Sequence, residues 1–280
     1  MKKIINTIVP LAYGSYFNTL ALFSKDIVAK KAFVLFSSPR KGAILEHQKN
    51  YLNKAKAEVV SAENIKLQTY TWKGNKKTVL LLHGWESNVY RWKNLIEFLK
   101  REDYNIVAFD APAHGNSTGD FLNVPIYNAC SERVIELYQP NYIIGHSMGG
   151  MTSMYHQYKN PTNTIEKVVS LGSPSELSEI IAHYQKLLKF NDTVLDSLNE
   201  YFKQIYGFSF EDFSISKFSS EFSTKGLLVH DEFDTIAPFS AAERIHKNWQ
   251  NSTLLKTQGL GHSLHQDDVN IQIIDFLKSE

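Results

Sequence analysis

The sequence predicts an α/β fold with a mostly parallel central sheet, helices on both faces and one helical insertion. Three observations carry this. From residue 78 onward, short apolar runs recur at 78–82, 105–109, 142–144, 167–171 and 226–229, the pattern of strands buried on both faces. Segments of helical spacing lie between them. The stretch 173–224 breaks that rhythm and holds no strand-like run.

Residues 1–57 read as an N-terminal extension that packs on the body. Lys2 and Lys3 precede an uncharged stretch, 4–24, that Pro10, Gly14 and several polar residues interrupt. A membrane span needs about 20 predominantly apolar residues, so the segment predicts at most weak peripheral membrane contact. Residues 46–58 read as a short polar helix, and 65–72 as a half-buried strand with Ile65, Leu67, Thr69 and Thr71 on one side. The main domain is expected over 58–280. Its helices fall at 90–100, where Trp92, Leu95, Ile96 and Leu99 share a face, and at 124–138, 240–249 and 269–277. Within 173–224, Ile180, Ile181, Tyr184, Leu187 and Leu188 follow helical spacing, as do Val194, Leu195, Leu198, Tyr201, Phe202 and Ile205. A loop of that length without its own structure would be unusual, so this is expected to be a helical cap over a site at the strands' carboxyl ends.

Composition sets outer bounds. Of 280 residues, 43% are hydrophobic and 21% charged, as in ordinary globular proteins. A net charge of +1 makes no case for nucleic acid. The charge is uneven: residues 1–77 carry a net +10 and residues 78–280 a net −9, which reads as a solvated Lys-rich face. Cys130 is the single cysteine. It is expected to pack in the core, and the lack of any possible intrachain disulfide fits a reducing, cytoplasmic setting.

The strongest chemical signal is Gly145-His146-Ser147-Met148-Gly149, a G-x-S-x-G pattern between an apolar strand and the helix-compatible run 151–158. Such a turn lifts a serine hydroxyl above the sheet and leaves room only for small neighbours. A serine needs a positioned base to act as a nucleophile. His262, in Gly259-Leu260-Gly261-His262, follows the strand-like 253–257 and is preferred over His265. The acid that orients it should end an earlier strand. Asp231, Glu232 and Asp234 all qualify, and Asp234 is preferred because Thr235-Ile236-Ala237-Pro238 would hold it rigidly. His83, His114 and His146 lack metal-ligand spacing, and Gly145–Gly150 lacks the phosphate-loop pattern.

With Leu82-His83-Gly84-Trp85 and Asp110-Ala111-Pro112-Ala113-His114-Gly115-Asn116-Ser117, these blocks resemble the α/β-hydrolase superfamily over roughly residues 60–280. The chain order Ser147, Asp234, His262 is that of the fold. The resemblance implies an oxyanion hole formed by the backbone N–H groups of Trp85 and Met148. It implies a structural role for His83, and for Asp110 and His114 either a structural role or a place at the pocket rim. Ala113 stands where many members have Gly, so less backbone freedom is expected there. Ser147 separates the chain from aspartate-nucleophile relatives. The implied activity is hydrolysis of a small-molecule carboxylic ester through an acyl-enzyme, without cofactor or metal. Thioester, peptide or carbon–carbon bond hydrolysis on the same triad is the alternative, and a non-catalytic binding protein of the same fold is another.

Overall fold

The computed structural model of the chain describes residues 2–162 and 164–280. The chain divides into two compact units. One comprises residues 39–175 and 215–280, the other residues 1–38 and 176–214.

The first unit is built on eight strands: β1 (Lys56–Ala62), β2 (Ile65–Trp72), β3 (Thr78–Leu82), β4 (Asn105–Phe109), β5 (Tyr142–His146), β6 (Lys167–Leu171), β7 (Lys225–Asp231) and β8 (Ser252–Thr257). They form one sheet in the order β1-β2-β4-β3-β5-β6-β7-β8. β1 and β2 are antiparallel to their neighbours, and the other six strands run parallel. Of the helices, α1 (Lys2–Ala21) and α2 (Lys25–Ser37) precede the sheet unit. It holds α3 (Glu46–Leu52), α4 (Lys93–Arg101), α5 (Val124–Tyr138) and α6 (Met148–Lys159). After β6 come α7 (Leu177–Leu188) and α8 (Asp192–Tyr206), then α9 (Ile215–Phe218), α10 (Phe239–Asn248) and α11 (Asp267–Lys278).

The central strands are buried on both faces, as their unbroken apolar runs require. Val79, Leu80, Leu81, Ile106, Val107, Ile143, Ile144, Val168 and Val169 are all fully buried. Each such side chain contributes roughly 1.5–3 kcal/mol relative to leaving it exposed. On one face Leu81, Ile106, Ile144 and Val169 share a core with Trp92, Leu95, Ile96 and Leu99 and with Val269, Ile273 and Leu277 of α11.

One expectation near the start of this unit fails. The helix predicted over 46–58 ends at Leu52, and β1 begins at Lys56. Lys, Ala and Glu favour a helix in isolation, but the full-length ladder to β2 overrides them. That ladder is closed by Glu63 and Asn64 in a left-handed turn, and Thr69 Oγ1 adds a bond to Glu58 O.

The second unit is all-helical. It joins the two N-terminal helices to α7 and α8, so residues 1–38 and the 176–214 insertion share a core. Phe33 packs edge-on to Tyr201, and Phe36 lies 4.9 Å from Tyr184 and 5.9 Å from Phe190 by ring centroids. Asn18 donates to Lys189 O and accepts from the Asn191 amide. Pro10 lies within α1 without ending it. Among the described residues, no helix is long and apolar enough to cross a membrane.

Candidate active site

The predicted residues gather where neighbouring strands end. Leu82 of β3 lies opposite Gly145 of β5, and His146 lies opposite Leu171 of β6. The strand order reverses here, since β4 lies on one side of β3 and β5 on the other. Such a switch point opens a crevice at the carboxyl ends of the strands.

Ser147 occupies the turn from β5 into α6 at φ 54° and ψ −120°. Holding a residue with a side chain there costs roughly 1–3 kcal/mol. The surroundings enforce it. The Ser147 amide donates to Leu171 O at 2.8 Å, and its carbonyl accepts from the Gly150 and Met151 amides and from Ser173 Oγ. The glycines are steric requirements: a Cβ on Gly145 would lie 2.4 Å from Gly149 O, and one on Gly149 would lie 2.1 Å from Leu82 O. Gly84 lets the end of β3 approach as closely, because a Cβ there would stand 3.0 Å from Ser147 Cβ. Trp85, Ser147 and Met148 are partly exposed, whereas His83, Gly84, Gly149 and Gly150 are buried. Among the described residues the Trp85 and Met148 amides have no acceptor.

Of the three acids after β7, one reaches His262. Asp234 Oδ2 accepts from His262 Nδ1 at 2.7 Å, and Oδ1 accepts from the Ile236 and Ala237 amides at 2.8 and 3.1 Å. Burial pushes the Asp234 carboxyl upward, but the His262 bond and the two amides outweigh it and leave it below its ordinary value. With Nδ1 donating to Asp234, Nε2 of a neutral His262 carries the free lone pair. Asp231 instead accepts from Thr257 Oγ1 and from the Leu260 and Phe233 amides, fastening the start of the His262 loop to the sheet. Glu232 pairs with Lys256 and Gln258. His265 has no carboxylate partner among the described residues. No hydrogen bond joins Ser147 Oγ to His262 among the described residues. Such bonds often form only in the substrate complex.

Two residues to which sequence reasoning gave no role hold the His262 loop. His146 Nε2 donates to His262 O at 2.8 Å, with the two rings 4.8 Å apart. Arg91 Nη2 donates to the next carbonyl, Ser263 O, at 2.9 Å. Consecutive carbonyls are thus tied to the Ser147 turn and to the segment after β3. Burial, reinforced by the Arg91 charge, drives His146 well below the ordinary histidine value and keeps it neutral. His146 stood in the motif as an unspecified "x", and Arg91 on the polar side of a predicted helix. Only the folded chain brings either to the loop.

His83, His114 and Asp110 shape the loops around Trp85. His83 donates from Nδ1 to Gly84 O and accepts from the Ala111 amide at Nε2, and burial lowers it to about 3. His114 donates to Pro112 O and accepts from the Glu86 amide. Asp110 accepts from the Val89 and Asn116 amides and from Tyr70, yet burial raises it to about 6. Both ring nitrogens of His83 and His114 are therefore committed. Among the described residues no group of three or more His, Cys, Asp or Glu is arranged to hold a metal ion. The expectation for Ala113 is corrected. Its φ is 62°, so the backbone there is left-handed even without glycine, held by its amide bond to Thr118 O.

A cavity of about 430 Å³ lies at the opposite end of the strands. Its lysines are engaged already, Lys77 with Glu166, Lys167 with the Phe276 and Leu277 carbonyls, and Lys225 with Glu280 O.

Residues 77–203 match the sequence family described as the α/β hydrolase fold. The chain has the α/β-hydrolase fold. That match includes Trp85, Ser147 and Met148 and stops before Asp234 and His262. The chain is 24% identical to the uncharacterized hydrolase YugF of Bacillus subtilis, over 78% of its own length and 96% of that protein. It is 26% identical to the monoglyceride lipase of Rattus norvegicus, over 47% of its own length, and it spans about half of that enzyme, 49%. In structure it resembles the Pyrococcus furiosus esterase Pf2001, with a TM-score of 0.67 and 22% identity, covering 86% of this chain and 98% of that one.

Proposed function

We propose that the protein is a serine hydrolase that cleaves a carboxylic ester through an acyl-enzyme intermediate. Ser147 is the nucleophile, His262 the base and Asp234 the acid that orients it. The amides of Trp85 and Met148 form the oxyanion hole. The observation that carries this reading is the 2.7 Å bond from His262 Nδ1 to Asp234, which leaves Nε2 as proton acceptor on a ring packed beside the residue preceding Ser147.

The chemistry follows from these groups. His262 Nε2 takes the Ser147 proton as Oγ bonds to the ester carbonyl carbon. The Asp234 carboxylate stabilises the resulting imidazolium without itself being protonated. The negative oxygen of the tetrahedral intermediate accepts from the Trp85 and Met148 amides, and losing one such donor typically costs about 10²–10³ in rate. The carbon–oxygen bond then breaks, and His262 returns its proton to the departing alcohol. Water, deprotonated by His262, releases the acid and restores the serine. The names of the lipase and esterase relatives support an acyl ester as the substrate class.

Hydrolysis of p-nitrophenyl esters from acetyl to palmitoyl tests the proposal, with wild type beside Ser147→Ala. Wild type should turn over, and the variant should fall by about 10⁶ toward background. Full activity in the variant would refute the serine assignment. Inactivity of wild type on every ester, with turnover of a thioester, would refute the ester assignment.

A further inference from the structure

The helical unit carries an unusual surface. Of the 16 large apolar side chains exposed in the described structure, eight lie between residues 8 and 34: Ile8, Val9, Tyr13, Tyr16, Leu22, Phe23, Ile27 and Val34. They are ordered rather than scattered. Along α1, exposed Val9, Tyr13 and Tyr16 and half-buried Leu20 follow alternating steps of four and three residues, which places them on one face. Gly14, Phe17 and Ala21 lie about 100° further around the helix and are buried. A Cβ on Gly14 would lie 1.8 Å from Leu188 O, so that side is fixed against α7. The stripe runs into the α1–α2 turn, where Leu22 is 81% and Phe23 82% exposed.

The same hairpin carries cations. Lys25, Lys30 and Lys31 on α2 are exposed. Asp26 pairs with Lys30, and among the described residues neither Lys25 nor Lys31 has a carboxylate partner. Residues 1–38 hold five Lys and one Asp. An exposed apolar stripe with tyrosines along it, on a hairpin that also exposes lysines, matches the chemistry of a helix lying in a lipid interface. A second copy of the chain would bring like charges together, which disfavours it as the occupant.

We infer that the α1–α2 hairpin is a docking surface for an anionic lipid membrane, entered by Leu22 and Phe23 at the turn and held by Lys25 and Lys31. This mode lies in the interface and does not span it. It is independent of the ester assignment, because binding is read without substrate.

Co-sedimentation of the full chain tests this, using phosphatidylcholine vesicles with and without phosphatidylglycerol. Wild type should sediment with the anionic vesicles and far less with the neutral ones, and added salt should weaken binding. Leu22→Asp with Phe23→Asp should lower affinity at least about tenfold. Lys25→Glu with Lys31→Glu should do the same, since each lysine near such a surface contributes about fivefold. Circular dichroism should show both variants folded, because every altered side chain is exposed. Equal sedimentation with the two vesicle types, or wild-type binding by both variants, overturns the inference. So does a dimer in sedimentation velocity that Leu22→Asp with Phe23→Asp abolishes, because the face would then be covered by a second copy.

Discussion

The sheet unit hides most of its large apolar residues, and the smaller helical unit displays more of its own. Leu80, Leu81 and Leu82 are at most 1% exposed, whereas Leu22 is 81% exposed. The sheet unit also spends polar contacts on holding a few residues still. Asp231, His146 and Arg91 each fasten the loop that carries His262. In one unit burial and fixed geometry serve the residues of the proposed triad. In the other, ordered exposure suits a surface that meets something less polar than water.

The sharpest break in that contrast should come from Asp234→Asn. In the proposed mechanism it disturbs the tautomer and charge balance of His262, and kcat should fall about 10⁴-fold. Its pH dependence has a defined sign. The folded Asp234 carboxyl sits below its ordinary value because bonds from His262, Ile236 and Ala237 outweigh burial. Its stabilising effect is therefore fully present above about pH 4 and is lost as pH falls through the lower folded value. Wild type should exceed Asp234→Asn in Tm at neutral pH, and thermal melts should show the gap closing in acid.

The same substitution in the two units should then give unequal costs. Leu81→Ala should destabilise the fold by roughly 2–5 kcal/mol in denaturant melts, and Leu22→Ala should stay within about 0.5 kcal/mol. Smaller still is the effect of loosening the loop. His146→Ala and Arg91→Met should each lower kcat about 10- to 100-fold with little change in KM, because a misplaced catalytic group costs up to about 10². A change confined to KM would place these residues in substrate binding instead. A comparably small effect, of opposite sign, is expected of Ala113→Gly, which relieves the left-handed φ of 62°. Unfolding should show a gain of roughly 0.5 kcal/mol after the flexibility of glycine is offset.

Residues buried on both faces of the sheet were the most legible in sequence. β3, β4, β6 and α5 coincide with their expected ranges, because an apolar run between turn residues has few other uses. The spacing of α7 and α8 was legible for a similar reason. β1 was hidden by its Lys-Ala-Glu composition, since its strand form comes from the ladder to β2. Ser147 and His262 announce themselves through flanking glycines, each of which has a local steric or backbone cause. The roles of His146 and Arg91 depend on carbonyls more than a hundred residues away, and no local pattern encodes that. The exposed stripe of α1 was read as a segment broken by Pro10 and Gly14, yet Gly14 is what lets the helix pack closely on α7.

The most direct test of the central claim is to treat the protein with a fluorophosphonate and map the adduct by peptide mass spectrometry. The account predicts one adduct, on Ser147, with loss of esterase activity in proportion to labelling and no adduct in Ser147→Ala. An adduct on another residue, or ester hydrolysis that persists in fully labelled protein, would contradict it.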